Sequence, residues 1–358
     1  MGVTKKIAIL CNYELLPERI GGMDYFFWQF DQKCKENHIE VHWFFPNTAT
    51  HGNYHQLDII DTKYQNAEVF FAKYCETNTL DYSCIFMHFV ELCTPIFKKI
   101  KQLSNAKIIV VDHNPRPLNG YSIKKIFQKR VKGILFSKYI DLFIGVSNYT
   151  VNAIATDFGK HLQHKIKTIY NGVIIDDIKE KAQRNFTNPT FLVVSHLRES
   201  KGIQDLIEAV ALLPATIKSK LVIDIYGDGP HKASLLNKIR DKQLDMNFNF
   251  KGSVMNLKEL YSNYDYMLQP THMECFSLSI LESLAANVPV ITTNVGGNQE
   301  VITNNENGFI TAAKDISALQ DVIKKVYLGD FKITQNTRGL IETRFSLNTM
   351  VDNYLKLM

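Results

Sequence analysis

The chain has no run of about 20 uninterrupted apolar residues, the length a membrane-crossing helix needs, so no spanning segment is expected. Its six cysteines, Cys11, Cys34, Cys75, Cys84, Cys93 and Cys275, form no CxxC pair and no zinc spacing. That excludes a zinc module or dithiol motif and reads as reduced thiols in a cytosolic protein. A GxGxxG is also missing, because Lys232 stands where YGDGP would need its last glycine. A nicotinamide or flavin fingerprint is therefore excluded. The opening MGVTKKIAILCNY runs straight into a strand-like segment instead of a cleavable leader, and Lys6 sits where a myristoylation pattern needs Ser or Thr. The expected location is the cytoplasm.

Acidic residues are scarce in one place. Between Lys98 and Lys138 eleven Lys or Arg face the single acid Asp112, although the whole chain carries only +5. Such a local field matters for anionic partners. Within it, SIKKIFQKRVKGILFSKY sets Ile123, Ile126, Phe127, Ile134 and Leu135 near helical spacing, with Lys124, Lys125, Lys129, Arg130 and Lys132 between them. Two readings fit a basic amphipathic helix: one packed on the core with solvated lysines, or a surface over residues 123–138 that meets an anionic membrane or acceptor. The second would put the protein on the inner membrane face. A nucleic-acid partner is not expected, since no aromatic-interleaved basic strand or finger spacing accompanies the patch.

With 45% apolar and 22% charged residues the composition is that of a folded globular protein, and 358 residues suit two domains of roughly 150–200 residues. Short β-branched and aromatic runs alternate with helical patterns: KKIAILCNY, IEVHWFF, DYSCIFMHF, AKIIVVDH, DLFIGVS and KIKTIYN, then TFLVVSHL, LVIDIYG, FNFKGSV, YDYMLQP and VPVITTN. This rhythm calls for parallel sheets covered on both faces, hence an α/β protein of two doubly wound, Rossmann-like domains. The polar stretch 171–190 is the expected seam. Residues 1–175 would form the first domain, 176–340 the second, and 341–358 a terminal helix that either ends the second domain or crosses back to the first.

In such folds ligands sit beyond the carboxyl ends of the strands. After the first strand, Gly21 and Gly22 precede a helix starting near Met23, where bare backbone and unpaired amides suit a phosphate, though a plain turn explains them equally. VVSHLRESKG brings His196, Arg198 and Lys201 into one loop before a helix, cations that could hold a diphosphate, or simply a helix entry. In PTHMECFSLSILESLAANVPV, Glu274 lies in a loop after a strand and Glu282 inside the next helix, with Leu281, Leu284 and Ala285 toward the core. Taken alone, these acids read as a cap and a solvated flank.

The ordered set of Gly21-Gly22, His113 after VVD, VSxxT at 146–150, YNGV at 170–173, SHLRESKG, YGDGP, FKGSV, ECFSLSILE and GGNQEVI with NGF resembles the retaining glycosyltransferases of family 4, which have the GT-B fold. The likeness covers nearly the whole chain, and it rests on the order of the motifs more than on any one of them. It implies two domains facing a central cleft, with acceptor in the first and nucleotide-sugar in the second. Glu274 resembles the glutamate on the donor sugar's hydroxyls and Glu282 the one on the ribose. Lys201, with His196 or Arg198, resembles the basic pair on the diphosphate, and His113 the histidine that reaches the sugar. Gly252 of FKGSV and the backbone of Cys275, Phe276, Ser277 and Leu278 join the donor site by the same resemblance. The family usually has Gly where Cys275 and Ser277 stand here.

Further implications are a hexose moved from a nucleoside-diphosphate sugar, with UDP the donor nucleotide, to a glycan or lipid-linked acceptor in cell-surface polysaccharide or glycolipid synthesis. No cofactor or metal is expected, because no DxD-like pair stands in a convincing position. The alternatives are a nucleotide-sugar epimerase of the same fold and a non-catalytic nucleotide-binding module.

Overall fold

The computed structural model describes residues 5–78, 81–254 and 256–358; the first four residues of the opening segment lie outside them. The chain forms two compact units, Met1–Gly172 with Leu347–Met358, and Val173–Ser346.

In the first unit the described strands are β1 (Lys5–Cys11), β2 (Ile39–Phe45), β3 (Asp58–Asp61), β4 (Cys84–His88), β5 (Lys107–Asp112), β6 (Leu142–Gly145) and β7 (Ile166–Thr168). They pair in parallel in the order β3-β2-β1-β4-β5-β6-β7. The second unit holds β8 (Phe191–Val194), β9 (Ile223–Tyr226), β10 (Phe248–Gly252), β11 (Tyr266–Gln269), β12 (Val290–Thr293) and β13 (Gly308–Thr311). Their order is β10-β9-β8-β11-β12-β13, again parallel. Central strands such as CIFMH and YMLQ are buried along their whole length because helices cover both faces. In each sheet the order reverses beside the first strand, so the loops after β1 and β4, and after β8 and β11, open at the switch point.

The first unit's core is strongly aromatic. Helix Gly22–Glu36 inserts Phe26, Phe27 and Phe30, all essentially inaccessible, toward Trp43, Phe45 and Phe86. Helix Leu347–Leu355 returns to this unit and buries Tyr354, whose ring centroid lies 5.0 Å from Phe26 and 6.0 Å from Phe86. Its burial contributes on the order of 2 kcal/mol, with tilted ring contacts adding to it. Five of the six cysteines are buried, and burial pushes the Cys34, Cys84 and Cys93 thiols up to about 12, which makes them poor nucleophiles.

The units divide at 172/173 and 346/347, a few residues from the expected 175/176 and 340/341. The reason is local pairing: Val173 bridges Ser346, and the Arg338 guanidinium donates to the carbonyls of Ile175, Ile178 and Ala285. Residues 173–178 are thereby fastened to the second unit.

The basic segment folds as helix Ile123–Phe136, capped by Ser122, but it is not the core-packed helix that one reading expected. Gly133 is its one buried residue among those described, and Ile123, Phe127, Ile134 and Leu135 are exposed.

Candidate active site

In the second unit four loops lock together at the carboxyl ends of β8, β9, β11 and β12. Ser195–Lys201 follows β8 and ends at Gly202, whose left-handed backbone (φ +69°) leads into helix Ile203–Ala211. A Cβ at Gly202 would stand 1.8 Å from the Pro270 carbonyl oxygen, so only glycine lets the loops after β8 and β11 approach this closely. Across that contact the His272 amide and the Thr271 hydroxyl both donate to the Ser200 carbonyl, at 2.8 and 3.1 Å. The His272 ring meets Asp205 at 2.6 Å. From the YGDGP side the Leu197 amide donates to the Asp228 carbonyl at 2.9 Å, and from the β12 side the Gly297 amide donates to the Cys275 carbonyl at 2.9 Å. Gly296 approaches so near that a Cβ would lie 2.0 Å from the Glu274 carbonyl oxygen.

This scaffold sets the Lys201 ammonium 2.8 Å from the Glu274 carboxylate, with both side chains largely withdrawn from water. The Cys275 amide also donates to Glu274, at 3.1 Å. His196 and Arg198 lie in the same loop and are exposed. Gly252 (φ +73°) ends β10, has open space where a Cβ would be, and its carbonyl accepts from the Gly227 amide at 2.8 Å.

Ser277 caps helix Leu278–Ala285, with its hydroxyl accepting from the Ile280 amide and from Gln269 Nε2. Its φ is −80°, and Cys275 is not among the residues with positive φ. The two positions where the chain departs from the family's glycines therefore need no left-handed backbone here. Cys275 and Phe276 are buried, and Leu278 is half-buried. Leu281, Leu284 and Ala285 face the core as their spacing requires. Glu282 lies on the flank, where it accepts a 2.9 Å hydrogen bond from the Tyr261 hydroxyl. Burial raises its carboxyl above the ordinary value, opposed by Tyr261 and by Lys258.

In the first unit, helix Gly22–Glu36 begins at the glycine pair, one residue before the expected start, with Gly21 as its cap. The Gly21 amide donates to Asp24 at 2.9 Å, and the Tyr13 and Tyr54 hydroxyls donate to the same buried carboxylate. His113 follows β5. Its Nε2 lies 3.0 Å from Nδ1 of His88, the last residue of β4, and its ring stacks 4.3 Å from Phe89. Phe89 holds a φ of +56°, a strained backbone for an aromatic residue, at the mouth of the switch point. Burial holds His113 down at about 4, against the pull of Asp112, and burial also keeps His88 neutral.

Sequence reasoning missed Asp24, His88 and Phe89; the signal it passed over was a histidine closing the apolar strand of DYSCIFMHF. A cavity of about 420 Å³ opens after β4 and β5, lined by Phe89, Glu91, Asn114, Arg116, Tyr121 and Lys129 among others. Arg116 is fixed there by Asp112 at 2.7 Å and Asp157 at 2.8 Å.

Among the described residues one metal-type cluster occurs, Glu40, His42 and Asp58, with ligand atoms within 4.8 Å of one another. It lies on the β2–β3 edge, away from the strand ends that carry the loops above, and Lys6 already pairs with Glu40 at 2.7 Å. No described helix is long and apolar enough to cross a membrane.

Known proteins resemble this chain in sequence and fold. The family model described as Glycosyl transferases group 1 matches residues 174–338. N-acetyl-alpha-D-glucosaminyl L-malate synthase of Bacillus anthracis is 29% identical over 166 residues, 44% of this chain, and the chain spans only 42% of that relative's length. The capsular polysaccharide biosynthesis glycosyltransferase CapM of Staphylococcus aureus is 25% identical over 284 residues, 67% of this chain and 72% of that protein. Among solved structures, Anabaena HepE in complex with UDP and glucose superposes with a TM-score of 0.75 at 18% identity, covering 99% of each chain. Residues 174–338 thus match the glycosyl transferases group 1 model, and the chain's two parallel α/β sheets have the GT-B fold of its structural neighbours.

Proposed function

We propose that this protein is a retaining, metal-independent glycosyltransferase of family 4 that moves a hexose from a UDP-sugar to a glycan or lipid-linked acceptor. The observation that carries the reading is the Lys201–Glu274 pair, 2.8 Å apart, at the meeting of the loops after β8 and β11 inside the family-matching segment. A cation and a carboxylate held by glycine-dependent loop contacts suit a ligand with an anionic end and a hydroxyl-rich end. UDP as the nucleotide is supported by neighbours solved with UDP, and a surface-glycan role by the likeness to CapM.

In this reading Glu274 accepts hydrogen bonds from sugar hydroxyls, the amides from Cys275 to Leu278 support the sugar and diphosphate, and Glu282 accepts from the ribose. As the bond from the anomeric carbon to the diphosphate oxygen breaks, negative charge grows on that oxygen. Lys201, held by Glu274, stabilises it without reorganising, with Arg198 supplied from the same loop, the role a divalent ion has elsewhere. The acceptor oxygen bonds the anomeric carbon from the same face, and its proton passes to the departing phosphate. No carboxylate is then needed as nucleophile. In the first unit, the neutral imidazole of His113 is suited to hydrogen-bond a sugar hydroxyl and not to pair with an anion. The cavity beside Arg116 and Tyr121 has the size of a small-ligand recess and is our candidate for the acceptor.

The test is transfer from a panel of UDP-sugars to candidate glycan and lipid-linked acceptors in the presence of EDTA, with the product's anomeric configuration read by NMR. An α-linked product from an α-linked donor supports the reading. A converted donor with no new glycoside would make the protein an epimerase. Activity lost with EDTA and restored by a divalent ion would refute metal independence.

A further inference from the structure

Helix Ile123–Phe136 is built the wrong way round for a core helix. Its inward side carries Gly133, where a Cβ would lie 2.0 Å from the Phe158 carbonyl oxygen, and Lys129, which pairs with Asp157 at 2.9 Å. Its outward side carries Ile123 at 87%, Phe127 at 70% and Ile134 at 69% exposure, with Leu135 and Ile126 exposed beside them. Positions 123, 127, 134 and 135 fall on one stripe of a helix. A single exposed apolar residue needs no explanation, but a continuous stripe of this kind marks a surface that meets something apolar.

The charges around the stripe say what that something is. Lys124 is exposed beside it, Arg130 lies half-buried on it and Lys138 is exposed just past its end, whereas Lys125 is on the far side lining the cavity and Lys132 pairs with Glu91; no Asp or Glu occurs between residues 113 and 140. An apolar stripe flanked by cations matches the boundary of a bilayer carrying anionic headgroups. A second copy of the chain fits poorly, because two-fold pairing of this face would set its lysines against their own counterparts. We propose that the first unit docks on an anionic phospholipid bilayer through Ile123, Phe127, Ile134 and Leu135, with Lys124, Arg130 and Lys138 at headgroup level. The docking does not depend on the glycosyltransferase reading, and its test uses no donor.

The full chain is sedimented with vesicles of equal phosphatidylglycerol and phosphatidylcholine, and with phosphatidylcholine alone, at low and at high salt. Binding is expected only to the anionic vesicles and is expected to weaken with salt. A Phe127→Ser/Ile134→Ser variant should lose at least about tenfold in partitioning, and a Lys124→Ala/Lys138→Ala variant about fivefold per charge removed. Because these side chains are exposed, both variants should melt at the parent temperature; the lysine variant carries the test alone if the apolar one fails to fold. Three results would overturn the proposal: no binding to anionic vesicles at low salt, unchanged binding by a folded variant, or a dimer in solution that the Phe127→Ser change splits into monomers.

Discussion

Replacing Glu282 with glutamine should make the protein more stable and worse at binding its nucleotide. The side chain keeps its volume, and the new amide oxygen can still accept the Tyr261 hydroxyl, now 2.9 Å from the carboxylate. What disappears is a carboxylate that burial disfavours: its folded-state proton affinity lies above the ordinary value. A carboxyl raised in the fold favours the native state at low pH and loses that contribution as pH rises through its folded value. At pH 8 the wild type therefore bears a half-buried charge that the Glu282→Gln variant lacks, and the variant should melt higher there, with the gap closing as the pH falls. Binding should move the other way. A ribose hydroxyl donating to a charged acceptor contributes about 1.5–3 kcal/mol against about 0.5–1.5 for a neutral one, so the variant should bind UDP about fivefold to tenfold more weakly. Titration calorimetry with UDP and thermal unfolding at pH 5 and pH 8 read both effects. A variant that melts lower at pH 8, or binds UDP as tightly as the parent, would refute the reasoning. Gain of stability with loss of binding is the signature of a residue kept for function.

Three further predictions rest on the same geometry. Lys201→Ala removes the cation beside Glu274, and transfer should fall about 10²- to 10³-fold in kcat, the loss typical of one preorganised group on a developing charge, measured under donor saturation. Gly202→Ala puts a Cβ 1.8 Å from the Pro270 carbonyl on a left-handed backbone, and urea unfolding should show a loss of at least about 2 kcal/mol. His113, held at about 4 against an ordinary 6.5, is neutral in the fold, so its stabilising contribution is complete above about pH 6.5 and is lost as pH falls toward 4. The melting temperature should decline through that window, and His113→Gln should flatten the decline.

Much of the fold was legible because parallel strands buried on both faces leave apolar runs that sequence reading detects. Eleven such runs correspond to strands. The two strands not foreseen, β3 and β13, are four residues each and sit at sheet edges; DIID carries an aspartate at both ends, and GFIT opens on glycine. Short edge strands need little apolar content, so periodicity is silent there. At the candidate site, Leu281 and Leu284 as core could be read from spacing alone, but the cap is Ser277 and not the acid Glu274, because the Ser277 hydroxyl is the one that reaches the Ile280 amide. The Lys201–Glu274 pair spans 73 positions and follows from the packing of two loops at a switch point. Asp24, His88 and Phe89 escaped notice because their roles come from neighbours distant in sequence. The basic helix shows the limit most clearly: its periodicity gives an apolar stripe, but only the close approach at Gly133 decides that the stripe points outward.

The central claim is that this protein holds a nucleoside-diphosphate sugar without a metal. Its most direct test is thermal unfolding of the full chain with UDP and a panel of UDP-sugars, with EDTA present throughout. At about 100 times its dissociation constant a true ligand should add about 2.7 kcal/mol of stability, and UDP and at least one UDP-sugar should do so. No stabilisation by UDP or by any UDP-sugar, or stabilisation that appears only when a divalent ion replaces EDTA, would contradict the account.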